Sequence, residues 1–181
     1  MAPAKGKLLI AEPFLKDGHF SRTVIFLCEH SAEGSVGFVL NQDTDLTLGE
    51  ILIELASSKE PVYQGGPVQH DTLHMLHRLP ELLGGKEVAE SIYWGGSFDS
   101  LQELVAGNNY QPNSVKLFLG YAGWAAGQLE AELEEGSWLV ADANPDIIFH
   151  TDSDDVWRKA IALLGKEYHY LAQLPIDPQL N

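Results

Sequence analysis

Gly120, Gly123 and Gly127 fall with Trp124 inside eight residues of the stretch GYAGWAAGQLEAEL, residues 120–133. A strand-like run, VKLFL at 115–119, leads straight into it, and another, SWLVAD at 137–142, begins just past Gly136. The spacing predicts strand, tight corner, helix, turn, strand. Gly120 and Gly123 permit backbone angles closed to other residues, Trp124 is large enough to cover the corner, and residues 125–134 are helix formers throughout. A chain with such a unit must build a sheet and set helices against it.

The rest of the chain agrees with that demand. KLLIA from Lys7, TVIFLCEH from Thr23 and VGFVLN from Val36 are rich in β-branched and aromatic residues and read as strands. Thr47 and Glu50 form a T-x-x-E capping pattern before Leu48, Ile51, Leu52 and Leu55 at helical spacing, so a helix is expected to about Ser57. VYQGGPV, the run 72–77 and ESIYWGGSF are punctuated by glycine or proline like strands joined by turns. DSLQELVAGN reads as a short helix with Asp99 as N-cap and Gly107 as stop. A last helix is expected from Ser153 to Gly165, with Asp152, Asp154 and Asp155 at its positive end, followed by an extended tail, QLPIDPQLN.

At 181 residues and 45% hydrophobic content, the chain suffices for one domain over 1–181 with a real core. Its 11 basic and 26 acidic residues give a formal charge of −15, which repels a phosphate backbone before local contacts act, so direct nucleic-acid binding is not expected. One cysteine makes no internal disulfide, the N-terminal MAPAKGKLLIAEPF lacks a long apolar core, and no run approaches eighteen apolar residues. A soluble cytoplasmic protein without a membrane span is the expectation.

No motif names a reaction. The glycines at 120–127 match neither dinucleotide nor P-loop spacing, carry no basic residue and run into Glu130, Glu132, Glu134 and Glu135, so a corner is favoured over a phosphate cradle. Cys28 and His30, two apart in an apparent strand, share a face and form the most tempting chemical pair. No third orienting residue accompanies them, and a buried structural cysteine with a turn-closing histidine is the plainer reading. His70, His74 and His77 would share a helical face suited to zinc, but Gly65-Gly66-Pro67 and Pro80 bracket them, and no metal site is expected. Tyr63-Gln-Gly-Gly and Tyr93-Trp-Gly-Gly echo each other too briefly to be a repeat. Glu130 and Glu134 read as a solvated helix face rather than an acid/base pair.

Taken in order, KGKLLIAEPFL, FSRTVIFLCEH with GSVGFVLN, YQGGPV with Leu76-His77, and GYAGWAAGQLEAEL with SWLVAD resemble the AlgH/YqgE family over nearly the whole chain. The resemblance implies a compact bacterial α+β domain built on a curled, partly barrel-like mixed β-sheet flanked by about four helices. It implies no established enzymatic activity and carries a transcriptional-regulator label. It places the LH pair in a strand, where His74 and His77 point to opposite faces. The positions matching the family motifs are Arg22, His30, Asn41, Gly65, Gly66, Pro67, His77, Gly123, Trp124, Gly127 and Gln128. They define a candidate surface for a protein partner or small ligand, with no catalytic residue and no cofactor assigned. A thiol-based redox sensor or enzyme using Cys28 with His30 is the alternative.

Overall fold

The computed structural model describes residues 1–14 and 21–174. One continuous sheet dominates it. Its strands are β1 (Lys7–Ala11), β2 (Val24–Ser31), β3 (Gly34–Val39), β4 (Asp43–Thr47), β5 (Pro61–Gln64), β6 (Val68–His77), β7 (Lys86–Ala89), β8 (Ile92–Trp94), β9 (Val115–Ala125) and β10 (Trp138–Asp142). Eight run in the order β10-β1-β2-β3-β9-β6-β8-β7, while β5 lies parallel to β9 and carries β4 on its other side. The remaining described pairings are antiparallel.

The sheet curls into a half-barrel, bringing one end of the strand order back towards the middle. Lys5 Nζ donates to the Glu87 carbonyl of β7 (3.3 Å), and a Cβ on Gly6 would stand 2.9 Å from the Val88 carbonyl. Two irregularities strengthen the curl and sort the side chains. In β2 the register slips between Leu27 and Glu29, leaving Cys28 as an extra residue. In β9 Gly120 has φ +69°, and its pairing with β6 breaks between Leu119 and Tyr121. Such bulges increase local twist and swap the faces of the residues beyond them.

Each face has its own core. Phe26, Cys28, Phe38, Leu76 and Phe118 fill the concave side, which Ile148 of α5 (Pro145–Phe149) and Trp157 and Ile161 of α6 (Ser153–Leu163) close. Ile25, Leu27, Val39, Ala122, Trp124 and Trp138 form the opposite side under Leu129 of α4 (Gln128–Glu134). A third cluster around Met75 and Leu117 packs against Leu48 of α1 (Leu48–Ile51), Leu83 of α2 (Pro80–Leu83) and Leu101 of α3 (Phe98–Gly107). Burial of this apolar area is the main stabilising term. Among the described residues, no helix is long and apolar enough to cross a membrane.

Most expected elements are present, with corrections at their ends. Strand β9 runs through the glycines to Ala125, so Gly123 and Trp124 lie in a strand; the turn is at Ala126 and Gly127, and α4 starts at Gln128. The expected corner at Gly123 is absent because β3 pairs with residues 122–125 and keeps them extended. The capping box at Thr47 forms, but α1 ends after one turn and a 3-10 segment, Ile53–Leu55, follows. Ser97, not Asp99, caps α3, and Asn108 in a left-handed conformation ends it. Six α-helices and two 3-10 segments are found among the described residues, where about four helices are expected; α2, α5 and the 3-10 segment Lys166–Gln173 carry no strong sequence signal. Of the expected extended tail, residues 175–181 lie outside the described residues; Gln173 closes a 3-10 segment and Leu174 is extended.

Candidate functional site

The motif residues separate into four places, and at each their local work can be read. On the α4 face, Trp124 is buried and its Nε1 donates to Glu132 Oε2 (2.9 Å). Trp138 meets it edge-to-face, ring centroids 6.2 Å apart, and donates to the same oxygen (2.8 Å). Gln128 donates to Glu132 Oε1 (3.0 Å) and accepts the Ala125 amide (3.0 Å). One carboxylate therefore satisfies two buried indoles, and charge-assisted bonds of this kind are the stronger class. Gly127, at φ +75°, makes the left-handed turn into α4.

His30 reaches the same face by way of the β2 bulge. It pairs across to Ser35, hydrogen-bonds its Oγ through Nδ1 (2.7 Å), and brings Nε2 within 3.6 Å of Glu130 Oε1. Cys28 stays behind on the concave side, so the expectation that Cys28 and His30 share a face is overturned by the extra residue between them. The thiol is 1% exposed, and burial, with Glu29 adding to it, pushes its pKa well up. A reactive thiolate needs the opposite environment. Serine, imidazole and carboxylate stand in sequence here, but Ser35 is buried under the histidine, where it braces β2 against β3 and α4.

The Gly65-Gly66-Pro67 segment carries the chain across β9. Strands β5 and β6 lie on opposite sides of β9, and the connection passes over it at Gly120. A Cβ on Gly120 would stand 2.6 Å from the Gly66 carbonyl, and one on Gly66 would overlap the Tyr121 carbonyl. The crossing is locked by Val39 N–H to Gly65 O (2.8 Å), Gly65 N–H to Leu119 O (2.8 Å) and Gln64 Nε2 to Gly66 O (2.6 Å). These glycines serve close backbone approach. Pro67 is exposed at the end of the crossing.

His77 is 0% exposed and stacked on Tyr93, with both ring nitrogens used: Nε2 donates to the Gly95 carbonyl (2.9 Å) and Nδ1 accepts the Leu79 amide (3.1 Å). As expected, it and His74 point to opposite faces of a strand, His74 lying among Phe38, Trp94 and Tyr121. Burial lowers the pKa of both, partly offset at His77 by the bond to Gly95. An unfolded histidine titrates near pH 6.5. Each neutral ring thus contributes stability that is fully present above about pH 6.5 and is lost as pH falls below it. The urea midpoint is expected to drop between about pH 7.5 and 5.5, with a smaller drop in His77→Gln.

Of the motif residues, Arg22 and Asn41 line one of the described cavities. Asn41 accepts the Val24 amide (2.9 Å) and donates to the Arg22 carbonyl (3.0 Å), holding Arg22 at φ +51°. The Arg22 guanidinium lies 4.5 Å from the centroid of the Trp157 ring and donates to the Leu174 carbonyl (2.7 Å). These residues, with Ser153 and Arg158, wall a cleft of 550 Å³. Burial, and then the charge of Arg158, lowers the Arg22 pKa. Two guanidiniums and the Asp154 carboxylate line this cleft, Arg158 being paired with Asp155 (3.3 Å). Trp157 and Arg158 sit inside an ordinary amphipathic helix pattern, which gave no reason to single them out.

Two further groups carry structural work that their local sequence does not signal. Glu132 has the sequence setting of a surface acid, yet it is half-buried and accepts from both indoles. Lys116 is buried, donating to the carbonyls of Leu40 (2.8 Å) and Ile148 (3.2 Å) and lying 4.3 Å from the Tyr63 ring centroid. Burial lowers its pKa to about 8 against an opposing pull from Asp43. It ties β9 to the end of β3 and to α5. Among the described residues no group of three or more His, Cys, Asp or Glu side chains is arranged to hold a metal ion.

Comparison with known proteins agrees with this architecture. The sequence profile of the AlgH-like family matches residues 8–169. A UPF0301 protein of Chlorobium luteolum is 42% identical over 179 residues, 98% of this chain and 95% of its own. One from Cytophaga hutchinsonii is 39% identical over 179 residues, 98% of each. The solution structure of the AlgH protein from Pseudomonas aeruginosa matches with a TM-score of 0.72 at 33% identity, covering 97% of each chain. A Corynebacterium diphtheriae crystal structure matches with a TM-score of 0.81, covering 96% of this chain and 94% of its own; at 24% identity it speaks to fold alone. With a family profile spanning most of its length and relatives near 40% identity, the chain belongs to the AlgH-like family.

Proposed function

We propose that the chain is a non-catalytic binding module, acting through a small ligand or protein partner received at the cleft of Arg22, Trp157 and Arg158. The observation that carries this reading is the convergence there of two motif residues, Arg22 and Asn41, with a second guanidinium and an indole. Most other motif residues are engaged in turns, a backbone crossing or buried hydrogen bonds, whereas a guanidinium stacked on an indole beside a cavity offers an oriented polar and aromatic surface. Direct nucleic-acid binding forms no part of the proposal, since two arginines do not offset a charge of −15.

Titration of the protein with a fragment library, followed by NMR, tests the reading. Trp157 Nε1 donates to the Ala11 carbonyl (3.0 Å) and gives a fixed indole reporter. Ligands of this cleft shift that resonance saturably, and Arg158→Glu, a change at an exposed side chain, weakens them about tenfold with little change in the urea midpoint. Binding that maps elsewhere, or that survives Arg158→Glu unchanged, contradicts it.

A further inference from the structure

The cleft of Arg22, Trp157 and Arg158 reaches the start of α6, where Ser153 and Asp154 form part of its wall. The same two residues also wall a second, adjoining cleft of 390 Å³. Its other walls include Asp43, Asp152 and the ring of Tyr63. One short stretch of chain feeds both clefts: Asn41 lines the first and Asp43 the second, and at the divide Ser153 Oγ donates to the Asp43 carboxylate.

The two clefts differ in sign. The first presents Arg22 and Arg158; Arg158 gives one contact to Asp155 (3.3 Å), but a guanidinium carries five N–H donors and this side chain is exposed. The second presents the carboxylates of Asp43, Asp152 and Asp154, and its described walls contain no lysine or arginine, the imidazole of His150 being their one basic group. Tyr63 registers that acidic field: burial first, then Asp43, Glu60 and Asp152, pushes its pKa up. Lys116, against the Tyr63 ring, offsets the charge of Asp43, and the exposed Asp152 and Asp154 remain.

We propose that the paired clefts bind a small elongated zwitterion, its carboxylate on the Arg22 and Arg158 guanidiniums, its ammonium among Asp43, Asp152 and Asp154, and the chain between them lying over Ser153. The proposal rests on the reading of the Arg22 cleft as a binding site and adds the class of ligand. A simple anion gains the guanidiniums but meets Asp154 and the repulsion of a chain of charge −15. A simple cation gains the carboxylates but meets the two arginines beyond Asp154. A molecule with both charges at opposite ends finds a partner for each, and its lack of net charge removes the overall repulsion. Guanidinium and carboxylate also match in shape, which fixes the direction in which such a ligand lies.

The probes 6-aminohexanoate, hexanoate and hexylamine share one chain length and differ in which ends are charged, so their separate titration by NMR at about pH 7.5 and low salt tests the proposal. The zwitterion is expected to shift the Trp157 Nε1 and Tyr63 ring resonances together and saturably, and to bind about tenfold more tightly than either relative. Arg158→Gln and Asp152→Asn, both at exposed side chains, are each expected to remove most of that advantage with little change in the urea midpoint, since asparagine caps a helix as well as the aspartate that starts α6. Equal affinity for 6-aminohexanoate and hexanoate, movement of Trp157 without Tyr63, no saturable shift with 6-aminohexanoate, or an advantage that both variants leave intact overturns the inference. Each of these leaves the Arg22 cleft open to other ligands of the fragment titration; if those too leave Trp157 unmoved, the reading beneath falls as well. The comparison of the three probes in the unaltered protein stands whether or not either variant folds.

Discussion

Trp124→Ala is expected to lower stability by about 3–5 kcal/mol, out of the roughly 5–15 kcal/mol that holds a domain of this kind together. The indole is 6% exposed, rests edge-to-face on Trp138 and shares the Glu132 carboxylate with it. Its removal leaves a cavity between β9 and α4 and strips one of the donors from a charged acceptor, so the loss has a packing and a polar part. Trp124→Phe separates them, keeping much of the ring and losing only the Nε1 bond. Urea denaturation measures both: the midpoint should fall far for alanine and part of the way for phenylalanine, with the slope preserved. An unchanged midpoint for alanine would mean that Trp124 is not a structural anchor.

Gly66→Ala should be worse, with a loss above about 4 kcal/mol and little folded protein recovered. At φ +155° and with the Tyr121 carbonyl where a Cβ would go, no side-chain rotation relieves the clash; the two backbone segments must separate. Gly127→Ala is the matched control. It too has a positive φ, +75°, but nothing stands within 4 Å of its Cβ position, so its cost is limited to about 1 kcal/mol of left-handed strain. Near-UV circular dichroism and the urea midpoint of the two variants distinguish crossing from turn. Equal, small effects would show that the β5–β6 crossing tolerates a side chain.

The contrast between these glycines explains how much of the molecule was legible in its sequence. Runs such as KLLIA, VIFLCEH and SWLVAD announce strands because their residue types suit a pleated buried surface, and all three are strands. Bulges announce nothing: Cys28 and His30 have the spacing of one face, and only the pairing of Glu29 with Val36 and His30 with Ser35 shows that they part. Likewise Gly120, Gly123 and Gly127 look alike in a row, yet one sits in a bulge, one in a regular strand and one in a turn, according to what β3 and β6 do beside them. Long-range partners decide each case, and local propensity does not carry them. The candidate cleft was half legible. Arg22 and Asn41 stood out through the family motif, while Trp157 and Arg158 blended into an amphipathic helix.

Family-motif residues are expected to hold the backbone in place, with binding left to what they present. Asn41 tests it most directly, since it lines the cleft and also bonds the Val24 amide and the Arg22 carbonyl. The urea midpoint of Asn41→Ala should fall by the equivalent of about 1–3 kcal/mol, the penalty for leaving such backbone groups unpaired. A midpoint equal to that of the unaltered protein would contradict the claim and make Asn41 a recognition residue instead.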